Sequence, residues 1–395
     1  MAVSSNRFAE QKRRLREGSS AFDYNLIIII VFLLVFGLVM IYSTSSYEAY
    51  VTFGNASYYF RKQILATIAG LFFMILVALI PYHFWERTAW IAYGASVVLI
   101  ILIVPLGYEA NGAKRWIRIG GISMQPAEVA KVGMIIFLAC MITRAGKKAG
   151  SRSGFWLIML AAAPICGMLW LVTSNLSSAI IVGGIAVLML FVSTPGYKRY
   201  IYLLVAFLLL AALTVGVIVL NASSVESGEM AGYRGARVLA WLDPDAYASG
   251  KGFQTLQALY AIGSGGMFGK GLGESMQKLG FLPEAQNDMI FSIICEELGM
   301  FGGLALMLLF IILIYKLRDI AMEAPDQFGA LLVVGVLGHV AIQVILNIAV
   351  VTNTIPNTGI SLPFISYGGS ASFFLLIEMG LVLSVARGMR VKDFG

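Results

Sequence analysis

The chain has 395 residues, 59% of them hydrophobic and only 12% charged, with apolar runs far too long for a soluble core. That composition excludes a string of soluble domains and defines one polytopic membrane unit. The net charge of +7 does not point to nucleic acid, because the cations gather beside the apolar runs, as membrane topology requires.

The basic tail 1–21 carries Arg7, Lys12, Arg13, Arg14 and Arg16 and precedes the first apolar run, Tyr24 to Tyr42. That run is too long for a signal-peptide core and no small-residue cleavage site follows, so it is read as a retained first helix. The chain predicts an all-α fold of about ten transmembrane helices, each near 20 residues. They lie near 22–43, 61–81, 85–105, 127–143, 155–172, 177–193, 199–220, 289–315, 328–351 and 369–386. An amino terminus in the cytoplasm then puts Arg87, the Arg144 to Arg152 cluster, Lys198 and Arg199, Lys316 and Arg318, and the tail 387–395 on the inside, as positive-inside asymmetry demands. Both termini are therefore expected in the cytoplasm, flanking one membrane domain, 22–386. Cys140, Cys166 and Cys295 fall inside apolar runs and read as free core thiols.

The outer connections 44–60, 173–176 and 352–360 carry no Lys or Arg. Two others do: 106–126, with Lys114, Arg115 and Arg118, and the long extracellular loop 221–288, with Arg234, Arg237, Lys251, Lys270 and Lys278. Cations placed against the topological bias are expected to meet an anionic ligand outside the membrane. In the first segment Pro126 suits a helix start, and Glu128 and Lys131 at i, i+3 can pair on one face. That pair either orients the fourth helix or takes part in phosphate binding. Lys114 and Arg115 beside Trp116 are interfacial anchors or substrate contacts, their outer location favouring the second.

Within the long loop, Gln254 to Ile262 suits a short helix. The run GSGGMFGKGLG lacks the spacing and the Ser or Thr of a phosphate-binding P-loop, so its glycines are assigned to turns or close backbone packing. Phe281 to Gly299 turns from polar to apolar at Met289, with Asp288 on that boundary. In a regular helix Glu296 would lie about 12 Å deeper, too far to form a glycosidase-like carboxylate pair with Asp288. His339, Gln343 and Asn347 recur at i+4 on the ninth helix and are read as interhelical hydrogen-bonding groups. Glu378 is expected to face inward, and 352–370 to form a reentrant or cavity-lining link.

Four stretches carry a resemblance: GAKRWIRIGGISMQPAEVAK, GYRGARVLAWLDPDAYASGKGFQTLQALYAIGSGGMFGKGLG, FLPEAQNDMIFSIICEELG and TGISLPFISYGGS. They resemble the signature stretches of the shape, elongation, division and sporulation family, in order and over nearly the whole chain. The basic extension, GLVMIYSTSS and PEAQND look closer to its division or sporulation members than to its elongation member. The resemblance implies a bacterial peptidoglycan glycosyltransferase that polymerises lipid II, the undecaprenyl-pyrophosphate-linked disaccharide pentapeptide, on the outer face of the cytoplasmic membrane. It implies a class B penicillin-binding protein as transpeptidase partner, among other divisome proteins. A departure occurs at TSNLSSA, where Asn175 stands in the position of a family aspartate.

Asp288 matches the family's essential aspartate. Glycosyl transfer needs a base for the acceptor hydroxyl, which a positioned carboxylate supplies, and positive charge for the pyrophosphate leaving group. Lys114, Arg115, Lys131 and Arg237, or a divalent cation such as Mg or Mn, are candidates for that charge. Glu128, Gln257, Ser366 and Gly368, within the same signature stretches, complete the expected substrate-binding set. A lipid II flippase or transporter is the alternative reading, since intramembrane charges are expected there too.

Overall fold

The computed structural model describes residues 23–110, 113–120, 122–223 and 232–392. Residues 1–22, which contain the basic tail, 111–112, 121, 224–231 and 393–395 lie outside the described residues. Among the described residues, ten helices are long and apolar enough to cross a membrane. They are α1 Tyr24–Phe53, α2 Tyr58–Leu79, α3 His83–Leu106, α4 Pro126–Ala145, α5 Arg152–Leu171, α6 Leu176–Ser193, α7 Lys198–Ser223, α10 Ile290–Met322, α11 Gln327–Val351 and α12 Gly369–Lys392. All ten coincide with expected spans. Between α7 and α10 lie two shorter helices, α8 Gly232–Leu242 and α9 Lys251–Gly265.

In lipid, apolar side chains gain little by mutual burial, so polar contacts and small residues decide which helices meet. At the centre stand α4, α11 and α12, whose apolar windows are 67% buried. Gly70 of α2 sits under Leu376 and Gly380 of α12 against the Met74 backbone, so a Cβ at either would come within 2.6 Å of a neighbour. From Ile201 to Leu220, by contrast, α7 has no buried residue.

Two polar ties between α1 and α10 act as a depth ruler. Lys316 pairs with Asp23 at 2.8 Å, and Ser43 donates to Glu297 at 2.8 and 2.9 Å. Each helix has about 20 residues between these ties, or about 30 Å at 1.5 Å per residue, one hydrocarbon thickness. Glu297 therefore stands at the hydrocarbon boundary on the face opposite Asp23. This corrects the expectation of a regular eighth helix with Glu296 deep in the membrane.

The reason is a break. Gly299 adopts φ 71°, ψ −172° inside α10, separating a half-helix, Ile290–Leu298, from the crossing that follows. The glycine-rich loop closes onto this break. Lys270 and Gly271 N–H groups donate to the Glu296 and Glu297 carbonyls, both at 2.9 Å, and Met300 N–H donates to Gly266 O at 2.9 Å. The carbonyls freed at the helix break are thus satisfied by the loop. A Cβ on Gly269 would meet Glu297 O at 2.2 Å, so these glycines serve close backbone packing, as expected.

Side chains repeat the tie. Lys270 Nζ lies 2.6 Å from Glu296 and Lys278 Nζ 2.7 Å from Glu297, both carboxylates being fully buried. Ser275 Oγ also donates to Glu296, and Lys278 reaches Gly273 O at 2.6 Å. Lys270 and Lys278 were expected to meet an external anion; they meet the protein's own carboxylates instead.

The segment before α4, expected only as an outer loop, forms a three-stranded antiparallel sheet: β1 Gly107–Ala110, β2 Ala113–Ile119 and β3 Ile122–Met124. Its signal was in the sequence, as Ile117 and Ile119 alternate with Arg118 and a Gly-Gly pair follows. Arg118 lies over the Tyr108 ring, 5.0 Å from its centroid, a structural use of that cation.

Removing one partner of a buried pair strands the other, at about 3–5 kcal/mol. Lys278→Met is expected to lose that order of stability in denaturant unfolding of the purified protein. Ser43→Ala, which removes one hydroxyl donor, loses about 1 kcal/mol. Equal stability of Lys278→Met and the parent chain would contradict this account of the break.

Candidate active site

Asp288 lies on the turn that leads into the half-helix. Glu284 sets that turn in a left-handed conformation, φ 56°, and its carbonyl accepts the N–H groups of Asn287 at 3.0 Å and Met289 at 3.4 Å. The Asn287 amide donates to the Glu284 carboxylate. On one side Tyr367 N–H holds Gln286 O at 2.9 Å. On the other, Asn347 Nδ2 of α11 donates to Asp288 O at 2.8 Å and to Ile360 O at 2.7 Å.

The Asp288 side chain is 9% exposed, and among the described residues its Oδ1 has no hydrogen-bond partner. Gly359, at φ +67°, lies beside it, and a Cβ there would stand 3.7 Å from Oδ2. Burial, reinforced by the negative charge of Glu284, pushes the carboxyl up to about 7, against the pull of its own and Met289's backbone N–H groups and of Arg237. Such a carboxyl changes charge near neutrality, as a general base requires.

Arg237 comes from α8 and also donates from Nη1 to Asn357 O at 3.2 Å. The Asn357 amide in turn donates to Gln254 of α9 at 2.8 Å, so both loop helices converge on the link 352–368 that walls Asp288. Arg115 Nη2 donates to Ser174 O at 2.8 Å. Nearby, Ser177 donates to Thr358 O at 2.6 Å, which brings the Arg115 strand toward the same link. Asn175, in the position of a family aspartate, caps α6 through a 3.0 Å bond from Ser178 N–H.

Glu128 and Lys131 pair at 2.8 Å with both side chains buried, the expected i, i+3 contact. Glu128 and Ser366 line a small cavity with His339, Gln343, Ser361 and Ser372. The link is therefore cavity-lining, as expected. Ser366 Oγ accepts Leu362 N–H at 2.7 Å, and Gly368 N–H donates to Gln63 at 3.1 Å. Lys114 is exposed on β2 and Gln257 half-buried on α9; among the described residues neither hydrogen-bonds the Asp288 cluster. Of the expected set, then, Arg237 acts on Asp288, Glu128 and Ser366 line the cavity, and Lys131 is paired with Glu128.

Three features escaped sequence reasoning. Glu284, four residues before Asp288, was visible within PEAQND as a second carboxylate. Glu378 was left without a partner, and it pairs with His339 Nδ1 at 2.7 Å across two helices. Asn347 and Gln343 were expected to join helices, whereas both donate to backbone or hydroxyl groups of loops.

Fold and site together define a multi-pass membrane protein with a buried aspartate at the mouth of a broken helix. The family model described as cell cycle protein, covering FtsW, RodA and SpoVE, matches residues 24–391, and the chain belongs to that family. It is 36% identical over 371 residues to stage V sporulation protein E of Bacillus subtilis, covering 93% of this chain and 98% of that one. It is 34% identical to the probable peptidoglycan glycosyltransferase FtsW of Trichlorobacter lovleyi, covering 94% of each chain. Among solved structures, a chain from work on the structural coordination of polymerization and crosslinking by a peptidoglycan synthase complex superposes with a TM-score of 0.75 at 28% identity. That match covers 94% of this chain and 99% of the other.

A carboxyl held up to about 7 when folded, against an ordinary 3.8, keeps a proton that the unfolded chain has lost between those pH values. Its contribution to stability therefore falls as pH rises from about 4 to about 7. Asp288→Asn removes that loss and is expected to unfold at a higher temperature than the parent at pH 8, the gap closing as pH falls toward 4. An unchanged unfolding temperature at pH 8 would count against the burial of this carboxylate.

Proposed function

We propose that this chain is a peptidoglycan glycosyltransferase that polymerises lipid II on the outer face of the cytoplasmic membrane during cell division, with Asp288 as its general base. The observation that carries the assignment of the base is the buried Asp288 carboxyl, one oxygen of which has no partner among the described residues, held near neutrality on the face opposite Asp23. In this reading both termini are cytoplasmic, because Arg87, Arg144, Lys147, Lys148, Lys198, Arg199, Lys316 and Arg318 all lie at the Asp23 ends of their helices.

Asp288 takes the proton of the acceptor hydroxyl as that oxygen attacks the anomeric carbon, and the bond to the lipid pyrophosphate breaks. Arg237, beside Asp288, and Arg115, on the strand approaching the same link, supply positive charge toward the departing phosphates. Lys114, Lys131, Glu128, Gln257, Ser366 and Gly368 are assigned to holding the rest of the substrate. Among the described residues no group of three or more His, Cys, Asp or Glu is arranged to hold a metal. A divalent cation, Mg or Mn, is proposed to accompany the pyrophosphate and to add positive charge at the leaving group. A class B penicillin-binding protein is the proposed transpeptidase partner, with other divisome proteins, in keeping with the solved synthase complex this chain resembles.

Purified with its partner and given labelled lipid II, the parent chain is expected to make polymer and Asp288→Ala none; normal polymerisation by that variant would remove Asp288 from the mechanism. Lipid II translocation without polymer would favour a flippase. With a base at about 7, kcat/KM is expected to rise with pH to a plateau, with half-maximum near 7. A profile already flat at about pH 5.5 would contradict the base assignment.

A further inference from the structure

The polar stripe of α11 divides by function. His339 pairs with Glu378 of α12, and Gln343 donates to Ser361 O at 2.9 Å and Ser361 Oγ at 3.3 Å. Asn347, fully buried, directs its amide nitrogen to two backbone carbonyls at once, Asp288 at 2.8 Å and Ile360 at 2.7 Å.

A primary amide nitrogen carries two hydrogens, so both donors are engaged. One fixes the backbone of Asp288. The other fixes the residue next to Gly359, whose Cα flanks the Asp288 carboxylate. One side chain thus ties Asp288 itself to the wall it faces. Tyr367 N–H to Gln286 O and Gln254, between Pro283 O and Asn357, also join the turn to the link, but at residues other than Asp288. A general base must come within about 2.6–3.2 Å of the proton it takes, and misplacement by about 1 Å can cost about a hundredfold in rate.

We propose that Asn347 is a positioning residue for glycosyl transfer, holding Asp288 and the Gly359–Ile360 wall at the separation the reaction needs. The proposal rests on Asp288 being the general base. A purely structural role would make Asn347 one more polar tie to the link 352–368, interchangeable in effect with Trp241 of α8. Trp241 Nε1 donates to Asn353 O of the same link at 3.0 Å, away from Asp288 and from the cavity, so it is the natural control.

The test uses full-length protein with its transpeptidase partner and labelled lipid II. Asn347→Leu removes both donors at similar volume and is expected to lower kcat about 10- to 100-fold, with KM within about twofold. Trp241→Phe, which removes only the indole N–H donor to Asn353 O, is expected to keep kcat within about threefold. Wild-type kcat in Asn347→Leu would overturn the proposal, as would an equal loss in both variants, which signals general loosening. If Asn347→Leu does not accumulate in the membrane, Asn347→Ser, smaller and still polar, is judged by the same criteria. Asp288→Ala is assayed alongside: polymer from it overturns the base assignment and this proposal together, whereas an inactive Asp288→Ala beside a fully active Asn347→Leu overturns only the positioning role.

Discussion

Two buried lysine–glutamate pairs at the Gly299 break hold the architecture of the site in place. Neither Glu296 nor Glu297 has any solvent exposure, and a lone carboxylate in such a place would cost several kcal/mol. Lys270 and Lys278 neutralise them, and the loop backbone satisfies the carbonyls that the break exposes. The loop is thereby fastened to the membrane bundle, and the half-helix Ile290–Leu298 becomes a fixed support with Asp288 near its start. A continuous helix would have carried this segment into lipid without such a platform.

At the other end of the half-helix the physical logic reverses. Asp288 is buried, one of its oxygens has no partner among the described residues, and Glu284 adds like charge nearby. Each of these raises the energy of the ionised form, and together they keep the carboxyl titrating near neutrality. The pairs stabilise the fold, and the unpaired aspartate draws on that stability, as reactive groups in folded proteins commonly do.

The membrane spans were legible because hydropathy over about 20 residues is dictated by the bilayer itself. Asp288 was legible from the polar-to-apolar boundary at Met289, and Glu128 with Lys131 from helical spacing. The partners of Glu296 and Glu297 were not, because Lys270 and Lys278 lie 26 and 19 residues earlier and meet them only once the helix breaks. Gly299 gives no local warning, since glycine is common inside membrane helices. The same break explains why outer cations counted against topology were misassigned: two of them neutralise protein carboxylates. In the 106–126 segment the strands are only 4, 7 and 3 residues long, so the alternation of Ile117 and Ile119 about Arg118 is a short signal among closely spaced charges.

The protonation state of Asp288 is the quantity on which the account turns, and it can be observed directly. Carbon-13 NMR of protein labelled at aspartate side-chain carboxyls, with the Asp288 resonance assigned by its loss in Asp288→Asn, gives its titration midpoint. A midpoint near 7 is the expected result. A midpoint near 4, the ordinary range for an exposed aspartate, would show that burial does not tune this group and would contradict its assignment as a base poised at neutral pH.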